Sequence, residues 1–160
     1  MTKITAPTKT EAENLRTNEK KWSKPLIAAG WNVIPNIIIE KQEALGLDAL
    51  DMNIILHLSH YWWQPDNVPH PSVATIAKAI GVTPRTVQKR IAALEKLGFL
   101  RREERRFTQN GSVTNRYHFD GLIEAATPYA KEKVQEIEAA TEAKRKRLAR
   151  KKPKLVVSND

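Results

Sequence analysis

The sequence contains no cysteine. That excludes disulfide cross-links, thiolate catalysis and zinc sites built on Cys, and it fits a reducing, cytoplasmic setting. No apolar run approaches the roughly 20 residues needed to cross a bilayer, so no membrane association is expected. Residues 1–22 lack the apolar centre of a secretory signal. No glycine-rich nucleotide loop, nucleophile elbow or pocket-forming carboxylate pair is present, so nothing argues for catalysis, a cofactor or a small-molecule ligand. Internal repeats are also missing. The most local absence is of acid: residues 144–154, KRKRLARKKPK, hold eight cations and no anion.

That segment explains the net charge of +9. Taking its eight cations from the 27 Lys and Arg leaves 19, against 18 acidic residues. A second basic zone lies at 78–106, with nine Lys or Arg against three Glu. Two separate basic zones on a chain that is otherwise acidic on balance are the electrostatic footprint of a polyanion binder, with a solvated charged face as the bland alternative.

Along the chain, residues 1–22 are polar and poor in aliphatics, and read as a disordered arm. Trp31–Ile34 reads as a short strand ended by Pro35, with Asn36 capping a helix to about Ala44 that Leu45-Gly46 stops. Asp48 is the expected N-cap of the next helix, where Leu50, Ile54 and Leu58 recur at helical spacing. QPDNVPHP is a loop. Ser72 caps VATIAKAI, whose Val73, Ile76, Ala77 and Ile80 form a stripe, and Gly81 ends it. Thr83 caps the following helix, Pro84 takes its first position, and Gly98 stops it after Leu97. FLRREERRFTQNGSVTNRYHF reads as a hairpin about an Asn-Gly turn. Thr127-Pro128 then opens a long helix to about Arg150, with a thin stripe of Ala130, Val134, Ile137 and Thr141.

The turn between the two middle helices is only three residues, which forces a steep crossing and gives helix-turn-helix geometry. At about 100° per residue, Val87, Ile91 and Leu94 form the buried face of the second helix. Arg85, Lys89, Ala92 and Lys96 lie opposite, with Thr86 and Gln88 at the edges. Arg and Lys suit guanine O6/N7, and Gln suits adenine N6/N7.

At this point the stretch PSVATIAKAIGVTPRTVQKRIAALEKLGFLRRE resembles the winged helix-turn-helix of bacterial and phage regulators. The pattern is met at Pro71, Ser72, Thr75, Ala77, Gly81, Val82, Arg85, Thr86, Val87, Ile91, Leu94 and Gly98. Ile76, Thr83 and Phe99-Leu100 are conservative departures. The likeness covers roughly residues 31–120. It implies a mainly α fold with a small β wing, followed by a long C-terminal helix, and it implies DNA binding. For role it is divided: transcriptional regulators and replication initiators of plasmids, phages and mobile elements share it, and some such domains are protein-binding adaptors instead.

Other candidates are weaker. His57, His60 and His70 lack a fourth ligand and an intervening Glu, so no metal is expected. Tyr61, Trp62 and Trp63 crowd one helix end: one Trp is expected in the core and the other over the hairpin or a partner subunit. The narrow stripe on the last helix suits a partner helix, making a homodimer a candidate assembly.

The resulting expectation is a cytoplasmic, non-catalytic, sequence-specific double-stranded DNA-binding protein, with transcriptional regulation as the first role. Its parts are a disordered arm (1–22), a winged helix-turn-helix domain (23–120), a C-terminal helix (121–143) and a basic tail (144–160). Base contacts are assigned to Arg85, Thr86, Gln88 and Lys89, and backbone contacts to Lys78, Thr83, Arg90 and Lys96. Wing contacts fall to Arg101, Arg102, Arg105, Arg106 and Arg116. By alternation Arg101 and Arg105 share one face, and Arg102 and Arg106 the other. One pair is expected to face DNA while the other pairs with Glu103 or Glu104. The tail contributes Lys144, Arg145, Lys146, Arg147, Arg150, Lys151, Lys152 and Lys154.

Overall fold

Capping chemistry sets where the central helices begin. The computed structural model describes residues 9–107 and 111–150. Its elements are α1 (Lys9–Trp22), α2 (Lys24–Ala28), α3 (Asn36–Glu40), α4 (Ala49–His60), α5 (Val73–Ile80), α6 (Pro84–Lys96), β1 (Arg101–Phe107), β2 (Gly111–His118) and α7 (Asp120–Arg150). The Asp48 carboxylate accepts from the backbone N–H groups of Leu50 and Asp51, each at 2.8 Å. Asp51 reciprocates, its Oδ2 accepting from the Asp48 N–H at 3.1 Å. This reciprocal box satisfies donors that a bare helix start would orphan. Ser72 caps α5 through the Thr75 N–H, and Thr83 caps α6 through the Thr86 N–H.

The core forms where α4, α5 and α6 turn their apolar stripes together. Ile54, Leu58, Ile76, Val87, Ile91 and Leu94 are all at most 1% exposed. Leu100, Tyr117 and Phe119 close one side of this core from the hairpin, and Leu122 and Ala126 from α7. The Tyr117 N–H donates to the Pro69 carbonyl at 2.9 Å, so the proline-rich loop lies along β2. The first turn of α7 sits against the end of α6. A Cβ on Gly121 would lie 1.7 Å from the Gly98 carbonyl oxygen, so no other residue fits there without backbone movement. The Leu122 N–H then reaches the Phe99 carbonyl at 3.1 Å.

Several local expectations are corrected. Trp31–Ile34 is irregular, not a strand, because no neighbouring strand among the described residues offers it a ladder. Asn32 instead donates to Ser59 Oγ at 2.8 Å. Asn36 is the first residue of α3, and Pro35 stands in the cap position without a side-chain bond. Residues 9–22 are helical rather than disordered. Their Lys, Glu, Ala, Leu and Arg favour helix locally even though no described side chain of α1 is buried. Ser23, at φ 80°, breaks that helix from α2.

The last helix starts at Asp120, not at Thr127, and Pro128 is inside it. Burial of Leu122 and Ala126 favours a helix that local propensity opposes at Pro128. Neither Trp of the aromatic cluster is fully buried. Trp62 stacks on Phe119, with centroids 5.6 Å apart, and so covers the end of the hairpin. Trp63 meets the His60 ring edge-on.

Asp48 is held below the ordinary Asp value, first by the Asp51 N–H and then by Arg90. Its contribution is therefore present at neutral pH and is lost as pH falls through that lowered value. Asp48→Ala should cost about 1–2 kcal/mol in urea unfolding. Asp48→Asn keeps the cap acceptor and should cost less, and its deficit should close as pH drops below 3.8. A deficit that persists in acid would remove the charge from the explanation.

Candidate nucleic-acid interface

The tight turn comes first. The N–H groups of Gly81 and Val82 both reach the Ala77 carbonyl, at 3.0 Å each, and Gly81 takes φ 80°, which a side chain would strain. Three residues, Gly81–Thr83, then separate α5 from α6. Pro84 occupies the first turn, where a missing N–H costs nothing. The Thr83 and Thr86 hydroxyls lie 2.8 Å apart, so both side chains are held at the start of α6.

Because Val87, Ile91 and Leu94 are buried, the opposite face is fixed by helix geometry. Arg85, Gln88, Lys89, Ala92 and Lys96 are exposed there, and Thr86 is half-buried at the edge. Lys78, on the last turn of α5, is also exposed. Lys78, Arg85, Lys89 and Lys96 make no ion pair among the described residues. Arg85, Lys89 and Lys96, with a glutamine and a small alanine, thus lie on the face of α6 opposite its buried stripe, and Lys78 is a further exposed cation on the last turn of α5.

Arg90 does not join them. Its Nη1 lies 2.5 Å from Asp48 Oδ2 and 3.6 Å from Asp51 Oδ1. Asp51 Oδ1 has no hydrogen-bond partner among the described residues, and burial pushes the Asp51 carboxyl upward. Arg90 is therefore the cation that makes a buried carboxylate tolerable, and it ties α6 to the start of α4. Sequence reasoning placed it at the phosphates because nothing local shows that α4 begins with two acids beside it.

The hairpin pairs Arg101 with His118, Arg102 with Tyr117 and Glu103 with Arg116. The register then slips, setting Arg105 opposite Val113. Every wing arginine with a described side chain has an acceptor within the chain. Arg101 meets Asp120 at 3.4 Å, and Arg102 meets Glu95 at 3.3 Å. Arg105 donates to the Thr114 carbonyl and hydroxyl at 2.8 and 3.1 Å. Arg116 meets Glu103 at 3.2 Å, and Glu103 also holds His118 at 2.8 Å. The hydrogen bond from His118, followed by the Arg116 charge, keeps the Glu103 carboxyl low. Arg101, Arg102 and Arg105 each find a partner other than Glu103. Glu103 meets Arg116, the residue directly opposite it across the ladder. The Arg106 side chain lies outside the described residues.

On α7, Lys133 pairs with Glu40, and Lys41 sits 5.6 Å from the Tyr129 ring centroid, which docks this part of the helix on α3. Farther on, Val134, Ile137 and Leu148 are all more than half exposed. Lys144, Arg145, Lys146, Arg147 and Arg150 are exposed on the last turns, and Lys146 pairs with Glu142. Lys151, Lys152 and Lys154 lie outside the described residues.

Residues 45–100 match the family described as a helix-turn-helix domain. No curated protein matches the chain. The solved N-terminal domain of the DnaD protein from Geobacillus kaustophilus is 15% identical with a TM-score of 0.51, over 77% of this chain and 96% of that one. The multiple antibiotic-resistance repressor MarR from Listeria monocytogenes 4b is 19% identical with a TM-score of 0.37, over 91% and 100%. A mutant of MepR from a multidrug resistant S. aureus clinical isolate is 20% identical with a TM-score of 0.40, over 91% and 96%. The likeness to the DnaD domain is one of fold.

Arg90 and Lys89 are adjacent yet should behave oppositely. Arg90→Ala should lower unfolding free energy by about 1–2 kcal/mol, a buried-pair effect reduced by partial exposure. Lys89→Ala should leave stability within about 0.5 kcal/mol of the parent. Equal thermal midpoints for the two variants would contradict the assignment of Arg90 to the fold.

Proposed function

We propose that this chain, whose residues 45–100 form a helix-turn-helix domain, is a sequence-specific double-stranded DNA-binding protein that regulates transcription by occupying promoter DNA. The observation that carries the reading is the set of unpaired cations on the α5–α6 face, opposite a fully packed stripe. In this reading α6 lies in the major groove, with Arg85, Thr86, Gln88 and Lys89 at base edges. Lys78, Thr83 and Lys96 contact phosphates, and the free N–H groups at the start of α6 add to that contact. Arg90 is left out because Asp48 and Asp51 occupy it. The wing lies along the backbone or minor groove.

The exposed apolar stripe of α7 supports a homodimer, in which two copies read half-sites about one helical turn apart. The basic end of α7 and the residues beyond it extend the phosphate contacts. The reading requires no catalytic step, cofactor or metal, and it sets the protein in the cytoplasm, where its DNA is.

Selection of bound fragments from genomic DNA tests the role. A short palindrome near promoters is the expected outcome, whereas an array of direct repeats would assign the protein to replication initiation instead. No sequence-selective shift at physiological salt would favour an adaptor that binds protein.

At the selected site, Arg85→Ala should cost roughly 1–3 kcal/mol and relax discrimination at one base pair. An equal loss on every sequence would make Arg85 a phosphate ligand. Truncation after Ala143 should flatten the salt dependence by about 0.9 for each phosphate that the shortened chain no longer reaches, while preserving sequence preference. An unchanged slope would take the basic end of the chain off the DNA.

A further inference from the structure

We propose that Glu95, Glu103 and Asp120 restrain DNA binding, because each holds a wing arginine in an intramolecular ion pair that a phosphate must break. The inference rests on the DNA-binding reading above. It begins from a contrast between two sets of cations: Lys78, Arg85, Lys89 and Lys96 on α5 and α6 make no ion pair among the described residues, whereas Arg101, Arg102 and Arg116 each face a carboxylate at 3.2–3.4 Å. The carboxylates come from three different elements, the end of α6, the middle of β1 and the start of α7. Arg101 and Arg102 are thus balanced by carboxylates from other elements, and Arg116 by Glu103 across the ladder.

Glu95 does this with both oxygens. Oε1 accepts the Arg102 backbone N–H at 3.2 Å while Oε2 meets the guanidinium at 3.3 Å. One side chain therefore tethers the start of the wing to α6 and neutralises an arginine there. Glu103 works within the ladder, between Arg116 and His118.

Binding to DNA of arbitrary sequence depends on how many cations displace condensed counterions. An arginine already matched by a carboxylate brings little new charge to the phosphates, and its release costs the pair. The restraint keeps the affinity for arbitrary sequence low, so the protein leaves such DNA readily. These carboxylates are positioning residues: they act on DNA only through the arginines they hold.

Glu103→Gln and Glu95→Gln test the idea in the full chain, on a random-sequence duplex three helical turns long. Each substitution keeps the side-chain shape and a hydrogen-bond acceptor but frees one arginine. Glu43→Gln is the control, an exposed acid outside the ion pairs of the described residues that changes net charge equally. Surface pairs of this kind hold a cation by a factor of roughly two to five, and the dissociation constant should fall by that factor in both test variants. The log–log salt slope should steepen by up to about 0.9 per released arginine, and Glu43→Gln should do neither.

If the wild type binds and both variants match it, match the control or bind more weakly, the restraint does not exist. If the wild type binds no duplex at all, the DNA-binding reading itself is wrong. Melting curves identify a variant that fails to fold, and the second variant then decides the result.

Discussion

The buried stripe of Val87, Ile91 and Leu94 is the constraint from which the interface follows. Each of these side chains is at most 1% exposed, sealed in one core with Ile54, Leu58, Ile76 and Ala77. Full burial of such a side chain is worth about 1.5–3 kcal/mol. A helix is stiff in azimuth, so sealing one face decides the other. Arg85, Gln88, Lys89, Ala92 and Lys96 are outward because the apolar residues between them have no alternative. The capped three-residue turn sets the crossing, and the core on either side keeps it in place.

A second tier of contacts anchors that helix pair to the rest of the molecule. Arg90 bridges α6 to the two acids at the start of α4. Glu95 bridges α6 to the first wing strand. The backbone of Gly98 receives Gly121 at a distance no side chain would allow. These three junctions lie along α6 and its C-terminal end, so this helix is both the exposed cationic surface and the element to which α4, the wing and α7 are fastened. That double use explains why neighbouring cations have different tasks. Lys89 projects outward, while Arg90, one residue on, is turned toward α4.

Electrostatics divides the basic zone in a way composition does not. The zone at 78–106 is strongly positive in sequence, and uniform in appearance. In space Lys78, Arg85, Lys89 and Lys96 make no ion pair among the described residues, whereas Arg90 is matched by Asp48 and Asp51, Arg101 by Asp120 and Arg102 by Glu95. Charge counts therefore locate the candidate interface, while ion pairs decide how strongly each part of it can act on a polyanion.

The helix-turn-helix was legible because its determinants are local: cap residues, Gly81, Pro84 and an apolar stripe at helical spacing act within a few residues of one another. The same holds for the Asp48 cap, the hairpin and the exposed face of α6. What could not be read involved partners far along the chain or propensities overruled by packing. Trp31–Ile34 has strand-like residues but no strand beside it, and Pro128 sits inside a helix that core burial sustains. α1 is helical by local preference where composition suggested disorder.

The pairings of Arg90 with Asp48 and Asp51, Arg102 with Glu95, Arg101 with Asp120 and Arg116 with Glu103 depend on where α4, the wing and α7 come to rest. A sequence determines what each residue can do within its own turn or strand. Which cations remain unpaired was decided by tertiary structure, because an ion pair requires two groups within a few ångströms, and only the fold sets that distance.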